Sequence, residues 1–357
     1  MNDLRFGVFG AGFWAPFQLA AWNEVGGVKC VAIYNRTVSK AEKLAEAFDI
    51  PAVYGSPEEL LDHEELDFLD IITDALSHGR FVRMAAERGI PVICQKPMAP
   101  SLAEAEEMVR LCRENGVPFY IHENWRWQKQ IREFKKAIAS GEIGTPFRAH
   151  IFLVSGYPVF DNEPGLKELE EFILLDMGVH LLDVARFLFG EAGQLYCQTH
   201  QVQQGIKGED AATVMMRMEG GMTVTCSMGF PGHFLEHDVF TQTLIFVEGD
   251  RGSAQLDRDY WIRVTTQCGT RAGRHAPVWQ PWMHPQYLAS HASIVPCNAS
   301  FLRALRGEAE AETTAEDNLK TLRITFAAYE SARSGNVVHL TESHDSVPYS
   351  NRLEKSI

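Results

Sequence analysis

Short apolar runs alternate with segments of helical periodicity over the first third of the chain. The apolar runs predict strands over residues 4–9, 28–34, 66–73, 91–94 and 117–121, and the periodic segments predict helices over 16–22, 39–48, 78–88 and 101–115. Ser101, followed by Glu104, has the spacing of a helix capping box. Strands that alternate with helices need crossover connections. Residues 1–122 are therefore predicted to form an α/β domain, a doubly wound parallel sheet covered on both faces.

Longer β-type runs replace this alternation in the rest of the chain. A helix is predicted over 131–140, strands over 147–155, 195–203, 211–218, 222–229 and 243–248, and late helices over 301–305 and 316–334. The Glu219-Gly220-Gly221 junction between two of the strands predicts a hairpin. Because short turns join antiparallel neighbours, we expect residues 123–340 to be an α+β domain on an antiparallel sheet. Residues 341–357 are predicted to be a polar tail.

Two long stretches of the chain carry no Asp, Glu, Lys or Arg. Residues 6–23 approach the length of a membrane span, but they contain Gly10, Gly12 and Pro16 and lack the flanks of a signal peptide. We interpret them as a buried strand and a buried crossover helix. Residues 275–302 are also uncharged. We expect these residues to be buried against a subunit or over the active site, with a polar surface segment as the alternative.

Composition and charge exclude several classes of function. The chain has 33 Lys and Arg against 47 Asp and Glu, and a formal net charge of -14 argues against nucleic acids and anionic membranes as partners. Seven scattered cysteines without a C-x-x-C pair indicate reduced thiols in a cytoplasmic protein. His122-Glu123 does not begin an H-E-x-x-H zinc motif, because residue 126 is Arg. We therefore expect a small-molecule partner and no metal.

A glycine-rich turn lies between the first predicted strand and the first predicted helix. Its sequence is Gly10-Ala11-Gly12-Phe13-Trp14-Ala15, a G-x-G-x-x-A pattern. In that pattern the first glycine permits a tight turn, the second lets the backbone approach a pyrophosphate, and the small third residue allows close helix–strand contact. The helix N-terminus then faces the phosphates. Glycines that only make a tight turn are the alternative, and the run of β-α-β units favours a dinucleotide.

The end of the second predicted strand carries Asn35, Arg36 and Thr37 where an acidic residue would normally hold the adenosine ribose. Asn35 can bond ribose hydroxyls without repelling a 2′-phosphate. Arg36 could pair with that phosphate, or stack on the adenine and serve plain NAD equally well. A solvated turn is the alternative. The sequence leaves NAD and NADP both open.

Two further groups of residues have the chemistry of a reaction site. Lys96 follows Gln95 at the carboxyl end of a predicted strand, where an open α/β sheet forms its ligand crevice. Asp176 and His180 are four residues apart, which on a helix places both on one face. A carboxylate and an imidazole so placed suit proton transfer, with Asp176 orienting His180 or binding substrate hydroxyls. Each group taken singly is more often structural.

Motifs spread over nearly the whole chain fit the pattern of one family. They are the turn over 10–15, residues 73–78, Gln95-Lys96-Pro97, Asn124-Trp125-Arg126, Gly141-Glu142-Ile143-Gly144, residues 176–180 and the spacing of Phe301, Gly307, Ala327, Ser331 and Gly335. With these motifs the chain resembles the glucose-fructose oxidoreductase, inositol dehydrogenase and MocA (Gfo/Idh/MocA) oxidoreductases. Two departures from the family pattern are Gln95, where a Glu is usual, and Thr73-Asp74-Ala75, where a Thr-Pro-Asn type sequence is common.

The resemblance implies an N-terminal Rossmann domain and a C-terminal α+β domain on an open antiparallel sheet, through which homodimers or homotetramers form. It also implies hydride transfer between NAD or NADP and the carbon of a sugar or polyol hydroxyl. By position, the catalytic residues are Lys96, Asp176 and His180. The expected cofactor contacts are Gly10, Gly12, Phe13, Trp14, Asn35, Arg36, Thr73, His78, Gln95, Lys96, Asn124, Trp125 and Arg126. The expected substrate contacts are Lys96, Trp125, Arg126, Tyr157, Asp176 and His180.

The expected reaction is the oxidation of a hydroxyl on a small neutral sugar or polyol. His180 would remove the hydroxyl proton, Lys96 would stabilise the developing oxyanion, and Asp176 would bind a neighbouring hydroxyl. A free aldose oxidised at C1 to its lactone is the first candidate substrate, and inositols are the second. The alternatives are an enzyme that cleaves glycosides with the help of bound NAD, and a non-catalytic sensor of nucleotide or sugar.

Overall fold

The chain folds around two β-sheets. A computed structural model describes residues 3–232, 235–236 and 238–340, and the predicted polar tail over 341–357 lies outside the described residues. The strands of the first sheet are β1 (Leu4–Phe9), β2 (Val28–Tyr34), β3 (Ala52–Tyr54), β4 (Phe68–Ile71), β5 (Val92–Gln95) and β6 (Phe119–His122). The helices between them are α1 (Ala15–Val25), α2 (Val38–Phe48), α3 (Pro57–His63), α4 (Ala75–Ala86) and α5 (Leu102–Glu114). All six strands are parallel, in the spatial order β3-β2-β1-β4-β5-β6, so the doubly wound domain is confirmed.

Local sequence signals explain several elements of this sheet. The uncharged residues 6–23 form most of β1 and α1, and the structure buries Phe6, Leu19 and Trp22 among them. Ser101 caps α5 as predicted, since its hydroxyl accepts a hydrogen bond from the backbone N–H of Glu104 at 3.2 Å. Over the ranges that the structure describes, no helix is both long enough and apolar enough to cross a membrane.

The short pair β3 and α3 was not predicted. β3 has three residues, too few to show an apolar period. α3 did carry a signal, because Pro57 occupies its first turn and the hydroxyl of Ser56 accepts a hydrogen bond from the N–H of Glu59 at 3.3 Å. Serine as the N-cap followed by proline is a common start of a helix.

The second sheet has nine strands in the described part of the chain. They are β7 (Pro146–Val154), β8 (Ala192–His200), β9 (Ala211–Met218), β10 (Thr223–Gly229), β11 (Leu244–Gly249), β12 (Gly252–Asp257), β13 (Trp261–Thr266), β14 (Gly269–Arg274) and β15 (Val338–His339). Their spatial order is β14-β13-β12-β11-β7-β10-β9-β8-β15. The hairpin predicted at residues 219–221 is present between β9 and β10. The strands β12 to β14 were not predicted, since each has only two buried apolar positions at most.

One pair of strands corrects the expectation of an antiparallel sheet. β7 and β10 are parallel, while every other pair described in this sheet is antiparallel. The sheet is therefore mixed. β7 is followed by a helical segment and then by β8 and β9 before the chain returns as β10, and local turn signals cannot predict such a long-range neighbour.

Helices that follow the first sheet in the chain pack on both sheets. These helices are α6 (Lys129–Ala139), α7 (Val159–Asn162), α8 (Val179–Phe189), α9 (Leu288–Leu305) and α10 (Ala315–Ser334). Phe301 of α9 lies in one core cluster with Trp22 of α1. α10 contributes Leu319 to the core of the first sheet and Ala328 to that of the second. Most of the buried residues of the uncharged segment 275–302 thus lie on α9, which packs on α1 of its own chain.

A buried cluster of ionic side chains joins α8 and α10 to the turn after β6. The Arg126 guanidinium donates to Asp183 at 2.7 Å and to Asp317 at 2.7 Å, and Arg186 donates to Asp317 at 2.9 Å. The side chains of Arg126 and Asp183 are 6% and 0% exposed. Because a buried charge that loses its partner is costly, this cluster holds the two sheets at a fixed distance.

Removal of the carboxylate at the centre of this cluster tests its contribution to stability. Asp183→Ala leaves two arginines short of a counter-charge in the interior, so we expect the free energy of unfolding in urea to fall by about 3–5 kcal/mol. Glu58→Ala, which breaks the surface pair between Glu58 and Arg80, is the control and should cost about 1 kcal/mol or less. Equal losses in the two variants would contradict a structural role for the cluster.

Candidate active site

The carboxyl ends of four parallel strands place the predicted site residues along one edge of the first sheet. The glycine turn follows β1, Thr73 follows β4, Lys96 follows β5 and Glu123 follows β6. Ligand crevices in open α/β sheets lie at this edge. Two residues of the second domain reach the same edge: Asp176, in the turn before α8, contacts Lys96, and His180, in the first turn of α8, contacts Glu123.

The glycine turn has the geometry that a pyrophosphate needs. Gly10 has a φ of +112°, and a Cβ there would lie 2.4 Å from the carbonyl oxygen of Ile72, so only glycine fits. A Cβ added at Gly12 would meet nothing within 4 Å, which leaves open space above the backbone. No side chain of the described residues caps the start of α1, where the N–H groups of Ala15 and Phe17 donate to the backbone carbonyls of Gly12 and Trp14. These features fit a dinucleotide.

Asn35 supports the turn from the end of β2. Its Oδ1 accepts a hydrogen bond from the N–H of Ala11 at 3.1 Å, and its Nδ2 donates to the carbonyl of Thr37 at 2.9 Å. Arg36 is exposed beside it, just before α2. Of the two residues predicted to contact the nucleotide, Asn35 therefore stabilises the loop, and the side chain of Arg36 is exposed to solvent.

The two aromatic residues of the turn point in different directions. Phe13 is 55% exposed and its ring centroid lies 5.7 Å from that of Tyr287. Trp14 packs against His291 of α9, with centroids 5.3 Å apart. Phe13 therefore lies at the mouth of the crevice, and Trp14 faces the helix that covers α1.

Lys96 and Asp176 lie in contact in the crevice although they belong to different domains. The ammonium of Lys96 donates to Asp176 Oδ1 at 2.9 Å and to the backbone carbonyl of Asp176 at 2.9 Å. Their side chains are 22% and 27% exposed. The pair is thus partly desolvated yet open to a ligand, as a group that contacts substrate must be.

His180 forms a hydrogen bond with Glu123, for which the sequence suggested no role beyond the rejected zinc motif. His180 Nδ1 lies 2.7 Å from Glu123 Oε1, and the two side chains are 6% and 0% exposed. The Trp125 ring stacks on the imidazole at a centroid distance of 4.5 Å and an angle of 8°, and its backbone N–H donates to Glu123 Oε1 at 3.2 Å. The imidazole is therefore fixed on one edge and on one face.

This pairing differs from the expected contact between Asp176 and His180. Leu174–Gly178 form a π-helical turn, and α8 begins only at Val179, so the regular spacing of an α-helix does not hold between the two residues. Asp176 pairs with Lys96 instead. The structure brings Lys96, Asp176 and His180 together, and it assigns them different partners from those that the sequence suggested.

Burial shifts the protonation of both members of the His180–Glu123 pair. Desolvation, with the nearby Lys96 ammonium, holds the pKa of His180 well below its usual value, so the imidazole is neutral. Desolvation raises the pKa of Glu123 to about 7, against the opposing effects of the Trp125 N–H, Lys96 and Arg126. Perturbed groups of this kind, side by side in a crevice, are typical of reaction sites.

Several residues that were expected to contact the cofactor bond to protein groups instead. The buried ring of His78 lies 3.2 Å from the carbonyls of both Thr73 and Pro97, and so joins the loops after β4 and β5. Asn124 donates to the carbonyl of Ser290 at 2.9 Å, which attaches α9. Gln95 donates to Gln18 at 3.5 Å, and Arg126 belongs to the buried ionic cluster. Their contact with a cofactor stays a prediction.

Tyr157 lies at the mouth of the crevice with a residue that the sequence did not single out. Tyr287, from the uncharged segment, donates its hydroxyl to that of Tyr157 at 2.7 Å. Burial and the Tyr157 hydroxyl raise the pKa of Tyr287, and Glu163 and Asp176 add to the rise. Glu163 is also raised in pKa by burial and by Asp176. The crevice thus has tyrosine hydroxyls and two carboxylates near Lys96.

In the described ranges, no group of three or more His, Cys, Asp or Glu residues is placed to hold a metal ion.

Comparisons with known proteins find matches to both domains of the chain. The family model described as "Oxidoreductase family, NAD-binding Rossmann fold" matches residues 4–123, and the one described as "GFO/IDH/MocA C-terminal domain" matches residues 131–255. A D-apiose dehydrogenase from Paraburkholderia graminis is 37% identical over 96% of this chain and 91% of its own length. A D-apiose dehydrogenase from Rhizobium rhizogenes is 36% identical over 95% of this chain and 98% of its own.

The fold comparison adds an oxidoreductase from Agrobacterium radiobacter, solved in complex with NAD+, L-tartaric acid and magnesium. It superimposes with a TM-score of 0.92 at 36% identity, over 95% of this chain and 98% of its own. Levoglucosan dehydrogenase in complex with NADH and levoglucosan shares the fold with a TM-score of 0.82 at 19% identity, over 95% of this chain and 100% of its own. The resemblance and the NAD-binding domain are confirmed: the chain belongs to the Gfo/Idh/MocA family of oxidoreductases.

Proposed function

We propose that this protein is an NAD-dependent dehydrogenase that oxidises a hydroxyl of a small neutral sugar or polyol. The observation that carries the proposal is the meeting of Lys96, Asp176 and His180 in one partly buried crevice, at the strand ends where the dinucleotide turn lies. A free aldose oxidised at C1 to its lactone is the substrate we favour. The two curated relatives named D-apiose dehydrogenase support an aldose, since D-apiose is itself an aldose.

The cofactor would lie against the turn that contains Gly10 and Gly12. The open space above Gly12 and the uncapped start of α1 suit its phosphates, and the loop of Asn35 and Arg36 suits the adenosine end. A nicotinamide held there would supply the hydride acceptor for the carbon that bears the substrate hydroxyl.

The chain's own residues supply the proton transfer and the electrostatic stabilisation. His180 is neutral and takes the hydroxyl proton. The Lys96 ammonium stabilises the negative charge that develops on the substrate oxygen. Asp176 holds the ammonium in place at 2.9 Å and offers its other carboxylate oxygen to a neighbouring hydroxyl. Because these three groups are already held in place, the reaction avoids part of the cost of reorganising solvent around the substrate.

The surroundings of these residues favour a neutral polyhydroxy substrate over an anionic one. Asp176 and Glu163 are close enough to raise the pKa of Glu163, and a substrate carboxylate or phosphate would add a further like charge. The tyrosine hydroxyls of residues 157 and 287 offer the polar contacts that sugar hydroxyls use, on aromatic rings that suit the apolar faces of a sugar.

A substrate screen tests the proposed reaction. With NAD, absorbance at 340 nm should rise fastest with free aldoses, D-apiose among them, more slowly with inositols, and least with sugar acids and sugar phosphates. Parallel assays with NADP should also give turnover, because Asn35 carries no charge to repel a 2′-phosphate. Cleavage of glycosides without net NADH formation would favour the NAD-assisted glycoside-cleaving alternative and contradict this proposal.

Substitution of the proposed base tests the role of His180. His180→Ala should lower kcat by about 10²–10⁴-fold, because the variant lacks the neutral imidazole that is proposed to take the hydroxyl proton. The affinity for NAD, measured by titration calorimetry, should change little. His63→Ala, at an exposed histidine of α3, is the control and should match the unaltered protein. Unchanged turnover in His180→Ala would remove this residue from the mechanism.

The exposed face of the second sheet is the proposed subunit interface. Strand alternation leaves Phe152, Val154 and Met215 on this face, 39–49% exposed, and the strand register aligns Met215 with Tyr196 and Phe152 with Leu244. A monomer seldom exposes an apolar stripe of this kind. We infer a homodimer or homotetramer built through this face, in keeping with the cytoplasmic, small-molecule enzyme that the sequence indicates.

Charge placed on this face tests the interface. Met215→Glu combined with Phe152→Glu should shift the sedimentation coefficient to that of a monomer, because both subunits would bury carboxylates against apolar surface. Val38→Glu, an exposed apolar position on the first domain, is the control and should keep the assembly intact. A single unchanged species in the double variant would contradict the proposed interface.

A further inference from the structure

We propose that Glu123 is a positioning residue of the reaction: it holds His180 in the tautomer whose Nε2 is free, and it receives the Nδ1 proton when Nε2 takes one. The inference deepens the proposed function and rests on it for the source of the proton. It assigns a role to a side chain that no motif in the sequence indicated.

The contacts of His180 leave one edge of its ring for the substrate. Nδ1 is 2.7 Å from Glu123 Oε1, and Trp125 covers one face of the ring at 4.5 Å. Among the described residues Nε2 has no hydrogen-bond partner. Rotation of the ring would break the only strong hydrogen bond of the imidazole and its stacking contact, so the ring orientation is fixed by the fold rather than by a ligand.

The chemistry of the two groups fixes the proton as well. An ionised carboxylate can only accept a hydrogen bond, so a neutral imidazole bonded to it carries its single proton on Nδ1. Nε2 then holds a lone pair and is able to accept the proton of a substrate hydroxyl. A neutral carboxyl would donate to Nδ1 instead, and it would force the proton onto Nε2, where it blocks the reaction.

The surroundings of Glu123 make it a good acceptor for the second proton. Its Oε2 is buried without a hydrogen-bond partner among the residues that the structure describes, and Oε1 accepts only from the Trp125 N–H and Nδ1. A carboxylate with so few donors in a buried site is a stronger base than one in water. As the substrate proton forms a bond to Nε2, the Nδ1 proton therefore shifts towards Glu123 Oε1, and the positive charge never rests on the imidazole alone.

The charged and titratable groups that act on this pair come from several elements. They are Lys96 after β5, Asp176 and Asp183 on the π-turn and α8, Arg126 and His122 next to Glu123, and Cys297 on α9. Burial raises the pKa of the carboxyl and lowers that of the imidazole, so the two titrate as one unit. One added proton blocks Nε2 wherever it resides. Sugar oxidation should therefore rise with pH through the apparent pKa of the pair.

Glu123→Gln is the variant that tests this role. The amide oxygen can still accept from Nδ1–H, but it cannot take a proton. We expect kcat to fall by about 10²–10⁴-fold, the KM for NAD to change little, and the acidic limb of the pH profile to move to lower pH. The limb moves down because the imidazolium loses the carboxylate that stabilised it. Asp210→Asn is the matched control, since Asp210 is fully buried and its carboxylate accepts only the backbone N–H groups of Val202 and Gln203.

A spectroscopic measurement tests the tautomer independently of turnover. In the NAD-bound protein with ¹⁵N-labelled histidine, the His180 signals, identified by their loss in His180→Ala, should show a protonated Nδ1 and an unprotonated Nε2 at pH 8. Asp210→Asn should leave these signals and the pH profile unchanged. If no sugar is oxidised, the proposed function fails, and the tautomer still decides whether Glu123 orients the ring. A protonated Nε2, or a wild-type pH limb and kcat in Glu123→Gln, would overturn the inference, and if that variant does not fold the wild-type spectrum decides alone.

Discussion

The hydrogen bond between the side chains of Lys96 and Asp176, which belong to different domains, requires the two domains to keep a fixed relative position. Lys96 follows a strand of the first sheet, Asp176 precedes a helix of the second, and their atoms lie 2.9 Å apart. A contact this short tolerates little relative motion of the two sheets. α10 removes that freedom because it contributes to both cores, and α9 adds a second link by packing on α1. The buried ionic cluster around Arg126 then fixes the separation of the layers. The site therefore depends on these contacts between the two domains rather than on either sheet alone.

The parts of the fold that the sequence predicts are those encoded by local patterns. β1 and β2 have the predicted bounds, since their apolar runs are bounded by turn residues. α10 likewise ends at the predicted residue, Ser334, and Gly335 after it has a φ of 70°, which suits a glycine. What local patterns cannot predict is which distant strands become neighbours. The parallel pairing of β7 with β10 and the packing of α9 on α1 arise from tertiary contacts, where hydrophobic burial decides between arrangements that the local sequence leaves equivalent.

In the candidate site, the sequence likewise predicts where a residue lies in the fold but not the direction in which its side chain points. The motifs predicted that Lys96, Asp176 and His180 share one crevice, and the structure brings the three side chains near one another; their catalytic roles stay a prediction. The motifs could not show where each side chain points: His78, Asn124 and Arg126 lie at the edge, yet their polar atoms bond inward. Glu123 was missed for a related reason. It immediately precedes the Asn124-Trp125-Arg126 motif, so its place at the end of β6 was available from the sequence, whereas its contact with His180 on α8 depends on the packing of two domains.

The exchange of partners relative to the expected Asp176–His180 contact has an electrostatic rationale. Lys96 close to a bare imidazole opposes any proton on that ring, so a base beside this ammonium needs negative charge on its far side. Asp176 cannot provide it, because it is committed to Lys96, and Glu123 can. With Glu123 ionised and His180 neutral, these four side chains carry a formal charge of -1, and uptake of the substrate proton brings them to zero. A desolvated crevice favours the state of lower net charge. The Lys96–Asp176 ion pair and the Glu123 carboxylate thus make proton uptake favourable at a site where burial alone would oppose it.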